Sequence, residues 1–151
     1  MKLSKLIIIT ISIFLFSCEF DEDKDCLANT LDTHSLEEIY NCADTRHNTQ
    51  IDLSDNYIII RSQSQFNNLV TGDCLPQINF STYDLVIGKK GLTSGNETIN
   101  YNYYYDCSLG NLVLEVEFIQ NIASVAPNLT YHALIPKLGD EETVAVEISV
   151  I

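Results

Sequence analysis

The stretch that decides the fold is Ile99-Asn100-Tyr101-Asn102-Tyr103-Tyr104-Tyr105-Asp106-Cys107, followed after Ser108-Leu109-Gly110-Asn111 by Leu112-Val113-Leu114-Glu115-Val116-Glu117-Phe118. Successive side chains of an extended chain point to opposite faces. Ile99, Tyr101, Tyr103, Tyr105 and Cys107 therefore share one face, with Asn100, Asn102 and Asp106 on the other. Leu112, Leu114, Val116 and Phe118 repeat the pattern opposite Glu115 and Glu117. Two alternating runs joined by a glycine-bearing turn predict an antiparallel hairpin with one buried and one wet face.

Working outward, Tyr131–Pro136 and the alternation of Val144, Val146, Ile148 and Val150, separated by a turn at Gly139–Glu142, predict a further strand pair. Tyr83–Gly88 reads as a strand, with Lys89-Lys90-Gly91 through Gly95-Asn96 as its turn. Tyr57-Ile58-Ile59-Ile60 suits a short buried strand. Phe66, Leu69 and Val70 have helical spacing, capped by Ser62 or Ser64 and stopped by Gly72. Ser35-Leu36-Glu37-Glu38 is a capping box opening a short helix that ends near Cys42, and Asp44–Asp55 is polar and loop-like. The fold class expected is α+β, mainly β: an antiparallel sheet of about five to seven strands with one or two short helices, braced by disulfides, in a single domain over residues 30–151. No internal repeat stands out.

The N-terminus has a different character. Met1-Lys2-Leu3-Ser4-Lys5 is basic, and the apolar run from Leu6 to Phe16 spans about eleven residues where a membrane crossing needs roughly 20. Leu15-Phe16-Ser17-Cys18 resembles the lipobox of bacterial lipoproteins. That resemblance implies a signal peptide over residues 1–17, cleavage before Cys18, acylation of that cysteine and stable anchoring in a lipid bilayer by two or three chains. Glu19-Phe20-Asp21-Glu22-Asp23 resembles the acidic export signal of surface lipoproteins of the Bacteroidota. Glu19, Asp21, Glu22 and Asp23 then imply an outer-membrane protein displayed at the cell surface, with a periplasm-facing outer-membrane anchor as the competing reading and residues 18–29 as a solvated tether.

The signal holds two of the eight basic residues and none of the 21 acidic ones, so the mature 134-residue chain carries a net charge of −15. A surface of that sign repels the phosphate backbone and excludes nucleic acid as a partner. With Cys18 taken by lipid, Cys26, Cys42, Cys74 and Cys107 remain for an oxidising compartment where thiols pair. Four cysteines allow three connectivities. Cys26 with Cys42 and Cys74 with Cys107 is the expected set, on the view that the helix around Phe66 packs against the tyrosine strand. No cysteine or histidine spacing fits a zinc site, no Asp-x-Asp-x-Asp-Gly loop suits calcium, and no cofactor is implied.

No catalytic set is recognisable. Gly91-Leu92-Thr93-Ser94-Gly95 places its serine one position late for a nucleophile elbow and suits a hairpin turn better. His34 and His47 lie among polar residues. His132, beside Tyr131 on an expected strand, is the histidine with a fixed setting. The acidic pairs Glu115/Glu117 and Glu141/Glu142 fall on a wet face and in a turn. Tyr101, Tyr103 and Tyr105 form a candidate binding surface for sugars or proteins if exposed, and core if buried.

The strand Tyr83-Asp84-Leu85-Val86-Ile87-Gly88, the turn at Thr93-Ser94-Gly95 and Tyr131-His132-Ala133-Leu134-Ile135-Pro136-Lys137 resemble small β-rich modules of the PrcB C-terminal type, over Tyr57 to Val150. The resemblance implies a non-catalytic role in stabilising or docking another protein. The function expected is that of a membrane-anchored, surface-exposed lipoprotein that binds or stabilises an envelope protein and is not an enzyme. Two alternatives stand beside it: a glycan-binding module using exposed tyrosines, and an unrecognised hydrolase, which a pocket joining His132 to a carboxylate and a hydroxyl would favour.

Overall fold

The computed structural model describes residues 29–53 and 56–151; the lipobox, the acidic segment, Cys18 and Cys26 lie outside them. The described residues are mainly β, 50% strand and 13% helix. Its elements run β1 (Asn29–Leu31), α1 (Leu36–Tyr40), α2 (Thr45–Asn48), β2 (Thr49–Ile51), β3 (Tyr57–Ile60), α3 (Gln63–Leu69), β4 (Val70–Gly72), β5 (Tyr83–Gly91), β6 (Asn96–Asp106), β7 (Asn111–Gln120), β8 (Asn128–Pro136) and β9 (Val144–Val150). The strands form three sheets, ordered β1-β6-β7-β9, β3-β5-β8 and β2-β4.

The three-stranded sheet lies in the middle. On one side Val86, Leu129, Tyr131, Ala133 and Ile135 pack against Tyr103, Leu114, Val116, Phe118 and Val144 of the four-stranded sheet. On the other side Ile60, Leu85, Ile87 and Leu134 meet Leu36, Cys42, Ile51, Phe66, Val70 and Ile78. A strand buried on both faces reads as a continuous apolar run. That accounts for Leu85-Val86-Ile87 and for β8, buried from Leu129 to Ile135. The hairpin β6–β7 has one covered face, hence its alternation; its register puts Tyr103 opposite Leu114 and Asn100 opposite Glu117.

The capping box forms as its sequence predicts: the Glu38 N–H donates to Ser35 Oγ, and the Ser35 N–H to Glu38 Oε2 at 2.7 Å. Ser62 caps α3. Three expectations are corrected. The polar segment after Asp44 holds a helical turn and the strand β2, the latter paired with β4; its order comes from tertiary contacts that local polarity does not reveal. The strands β8 and β9 are not a pair: β8 lies beside β5, and β9 runs parallel to β7, Leu114 opposite Val146.

The third correction is the disulfide pairing. Cys42 bonds Cys74, which excludes both Cys26–Cys42 and Cys74–Cys107. The cause is layer assignment. Phe66 of α3 belongs to the cluster on the far side of the central sheet from Tyr103, so α3 does not pack on the tyrosine strand. Instead the β2–β4 ladder, with Asp73 N–H donating to the Asn48 carbonyl, returns the chain to the end of α1, where Asn41 in the left-handed region turns Cys42 into the same cluster. Cys107 is also disulfide-bonded, to a partner outside the described residues.

Candidate functional site

The strand β8 carries two polar side chains on its helix-facing side, Thr130 and His132, and both are buried. A polar group in that position needs a partner. Thr130 donates to the Thr49 carbonyl at 2.6 Å. His132 Nε2 lies 2.5 Å from Thr45 Oγ1 at the start of α2. Glu37, in the first turn of α1, completes the group: its Oε1 accepts from the Thr45 backbone N–H at 3.0 Å and from the Thr45 hydroxyl, and its Oε2 stands 3.5 Å from His132 Nε2. Tyr101, on β6, accepts a hydrogen bond from the His132 backbone N–H at 3.1 Å.

The proton inventory fixes the directions. A threonine hydroxyl has one proton, and Glu37 takes it. His132 Nε2 therefore donates its N–H to Thr45 Oγ1. Burial pushes the His132 pKa below its ordinary 6.5, against the opposing charge of Glu37, so the ring is neutral with Nδ1 as its unprotonated nitrogen. Nδ1 is buried and has no hydrogen-bond partner among the described residues. For Glu37 burial acts upward, but the hydrogen bonds from the Thr45 hydroxyl and backbone N–H outweigh it and hold the carboxyl below its ordinary value. The chain of donors runs from imidazole to hydroxyl to carboxylate.

This group walls a cavity of about 320 Å³ that is also lined by Asp44, Arg46, Thr98 and Ile99. A second cavity of about 530 Å³, lined by Thr33, His34, Glu38 and Asn100, shares Ser35, Ile99 and Tyr101 with it, so the two form one groove. Arg46 closes its end: Nη1 donates to Asn96 Oδ1 and to the Glu97 carbonyl, each at 2.9 Å, and Nε sits 3.4 Å from Asp44 Oδ1. Asp44 accepts from His47 at 2.7 Å, the first cause of its lowered pKa.

Chemically the group is a relay whose central hydroxyl is not free. Thr45 is 2% exposed, and its oxygen is occupied by Glu37 and His132. The residues singled out in the sequence fall elsewhere. Tyr103 is buried in the core, Tyr101 is held under His132, and Tyr105 alone of the three is exposed. Glu115 and Glu117 lie on the wet face and accept from Asn102 and Asn100. Ser94 lies in the β5–β6 turn, and Glu142 closes its own turn on the Gly139 N–H. Among the described residues no three His, Cys, Asp or Glu side chains gather as metal ligands, and no helix is long and apolar enough to cross a membrane. Sequence reasoning missed Glu37 and Thr45 as site residues. The one signal available was His132, a titratable residue inside an otherwise apolar strand. Compared with protein-family models, curated proteins and solved structures, the chain matches none.

Proposed function

We propose that this chain is a lipid-anchored envelope protein, acylated on Cys18 and displayed on the cell surface, whose domain binds another protein without catalysis. The observation that carries the reading is the groove: a sheet edge that no strand among the described residues covers, beside α1 and α2, next to a polar group whose hydroxyl is shut in. The lipobox and the acidic residues Glu19, Asp21, Glu22 and Asp23 supply the anchor and the address, and the short likeness to PrcB-type modules is of the same kind. A glycan platform has little support, because Tyr101 and Tyr103 face inward.

Affinity capture of the native lipoprotein from detergent-solubilised envelope tests the reading. A specific envelope protein in the eluate is expected, and lipid alone would contradict it. For the anchor, Cys18→Ala is expected to yield unprocessed or released protein; a mature-sized, acylated variant in the membrane fraction would remove that part of the proposal. One observation favours a second reading, hydrolysis, since a cavity does join His132 to Glu37 and Thr45. Turnover of simple esters by the wild type that is lost in both Thr45→Val and His132→Gln would establish it.

A further inference from the structure

We propose that the open edge of β6 is a strand-addition site for an extended, lysine- or arginine-bearing segment of a partner protein; the proposal rests on, and deepens, the protein-binding reading above. Among the described residues β1 covers β6 from Tyr103 to Tyr105. Past Leu31 the chain leaves the four-stranded sheet, and His34 bridges to Leu134 of β8 in the central one. The β6 edge from Thr98 to Asn102 is thereby left without a strand among the described residues, although β6 continues through it. Thr98, Ile99, Asn100 and Tyr101 all line the groove. Neighbouring side chains in a strand point to opposite faces, so four consecutive residues can line one groove only along the strand's edge.

Such an edge presents a row of backbone donors and acceptors that an incoming strand can pair. At about 3.3 Å per residue, the open segment matches a peptide of roughly four or five residues. The bulge between Asn96 and Thr98 and Arg46 on the Glu97 carbonyl end the site on one side, and Leu31 ends it on the other. Charge selects the occupant. Among the described residues the rim carries the three carboxylates Glu37, Glu38 and Asp44 against the one cation Arg46, which pairs with Asp44, and the whole chain bears −13. A second copy of this chain is opposed by that charge, its outer strand β9 carrying Glu147.

The test uses the full mature lipoprotein in non-ionic detergent micelles with three probes: an alternating valine–lysine hexapeptide, its valine–glutamate counterpart, and the lysine peptide N-methylated at alternate amides. Calorimetry and hydrogen exchange are read together. The lysine peptide is expected to bind and to slow exchange at Thr98–Asn102, the glutamate peptide to bind at least tenfold more weakly, and the N-methylated peptide not to bind. Glu38→Gln, which keeps the cap, is expected to narrow the lysine-to-glutamate ratio. Equal binding of all three peptides, protection confined to another part of the domain, or no binding by any peptide would overturn the proposal. If capture from the envelope still recovers a partner while no peptide binds, strand addition is refuted and the broader reading stands; if both fail, both fall.

Discussion

Replacing Lys137 with Met is expected to cost more stability than its position at the end of a strand suggests. Asp84 on β5 is fully buried, and its carboxylate accepts from Lys137 Nζ at 2.6 Å and from the Leu138 N–H at 3.1 Å, with Arg61 Nε 3.9 Å away. Arg61 also donates to the carbonyls of Gly139, Asp140 and Glu142, so this charge group pins the segment joining β8 in one sheet to β9 in another. Removing one member of a buried pair costs about 3–5 kcal/mol, because the other charge stays behind. Lys137 is 37% exposed, and the Leu138 N–H and Arg61 remain, so a loss below that range, about 2–3 kcal/mol, is expected. Asp84→Asn leaves Lys137 free to reach water and is expected to cost less, about 1–2 kcal/mol. The double variant should be more stable than the sum of the singles implies, with a coupling of about 1 kcal/mol or more. Urea denaturation of the non-lipidated Cys18→Ala chain, followed by far-UV circular dichroism, gives all four values. Strict additivity, or a Lys137→Met cost below about 0.5 kcal/mol, would refute the reasoning.

Non-reducing peptide mapping is expected to return Cys42–Cys74 and, on the proposal that Cys18 is acylated on sulfur, Cys26 as the partner of Cys107. The first bond spans 32 residues, for which loop closure gives about 4 kcal/mol; Cys42→Ala/Cys74→Ala should lose that much in denaturant. Acid should weaken the domain in two stages. His132 has a depressed folded pKa, so the unfolded chain binds the extra proton and stability falls as pH drops below about 6.5; Glu37, also depressed, adds a loss below about 4.5. His132→Gln should flatten the upper stage in a pH series of denaturation midpoints, and an unchanged slope there would show the imidazole to be uninvolved. Gly88→Ala should cost about 1–3 kcal/mol by the same assay, since a Cβ there would lie 2.4 Å from the Tyr131 ring and 2.9 Å from the Asn56 carbonyl.

How much of this was legible follows from what each residue faces. The strands β6, β7 and β9 each have a wet face, so Tyr101, Leu114 or Val146 announces its side by alternation. The strands β5 and β8 are covered on both faces, and their runs announce strand without saying which sheet lies where. Alternation carries no information about neighbours, so Val144–Val150 reads as the partner of β8 when it pairs with β7. The disulfide was hidden for the same reason: Cys42 meets Cys74 because β2 pairs with β4, and Thr49–Ile51 carries too short a pattern to show it. At the site, His132 was visible as a polar residue inside an apolar strand, and Glu37 as part of a helix start. Thr45 had no signal, because its role is conferred by where α2 comes to rest on β8.

The most direct test of the protein-binding account is photo-cross-linking on intact cells from a reactive amino acid placed at Asn100, on the open edge, against one at Ser149, on the far strand of the same sheet. The account predicts a discrete cross-linked envelope protein from position 100 and none from position 149. An equal pattern from both positions, or no adduct from position 100, would contradict it.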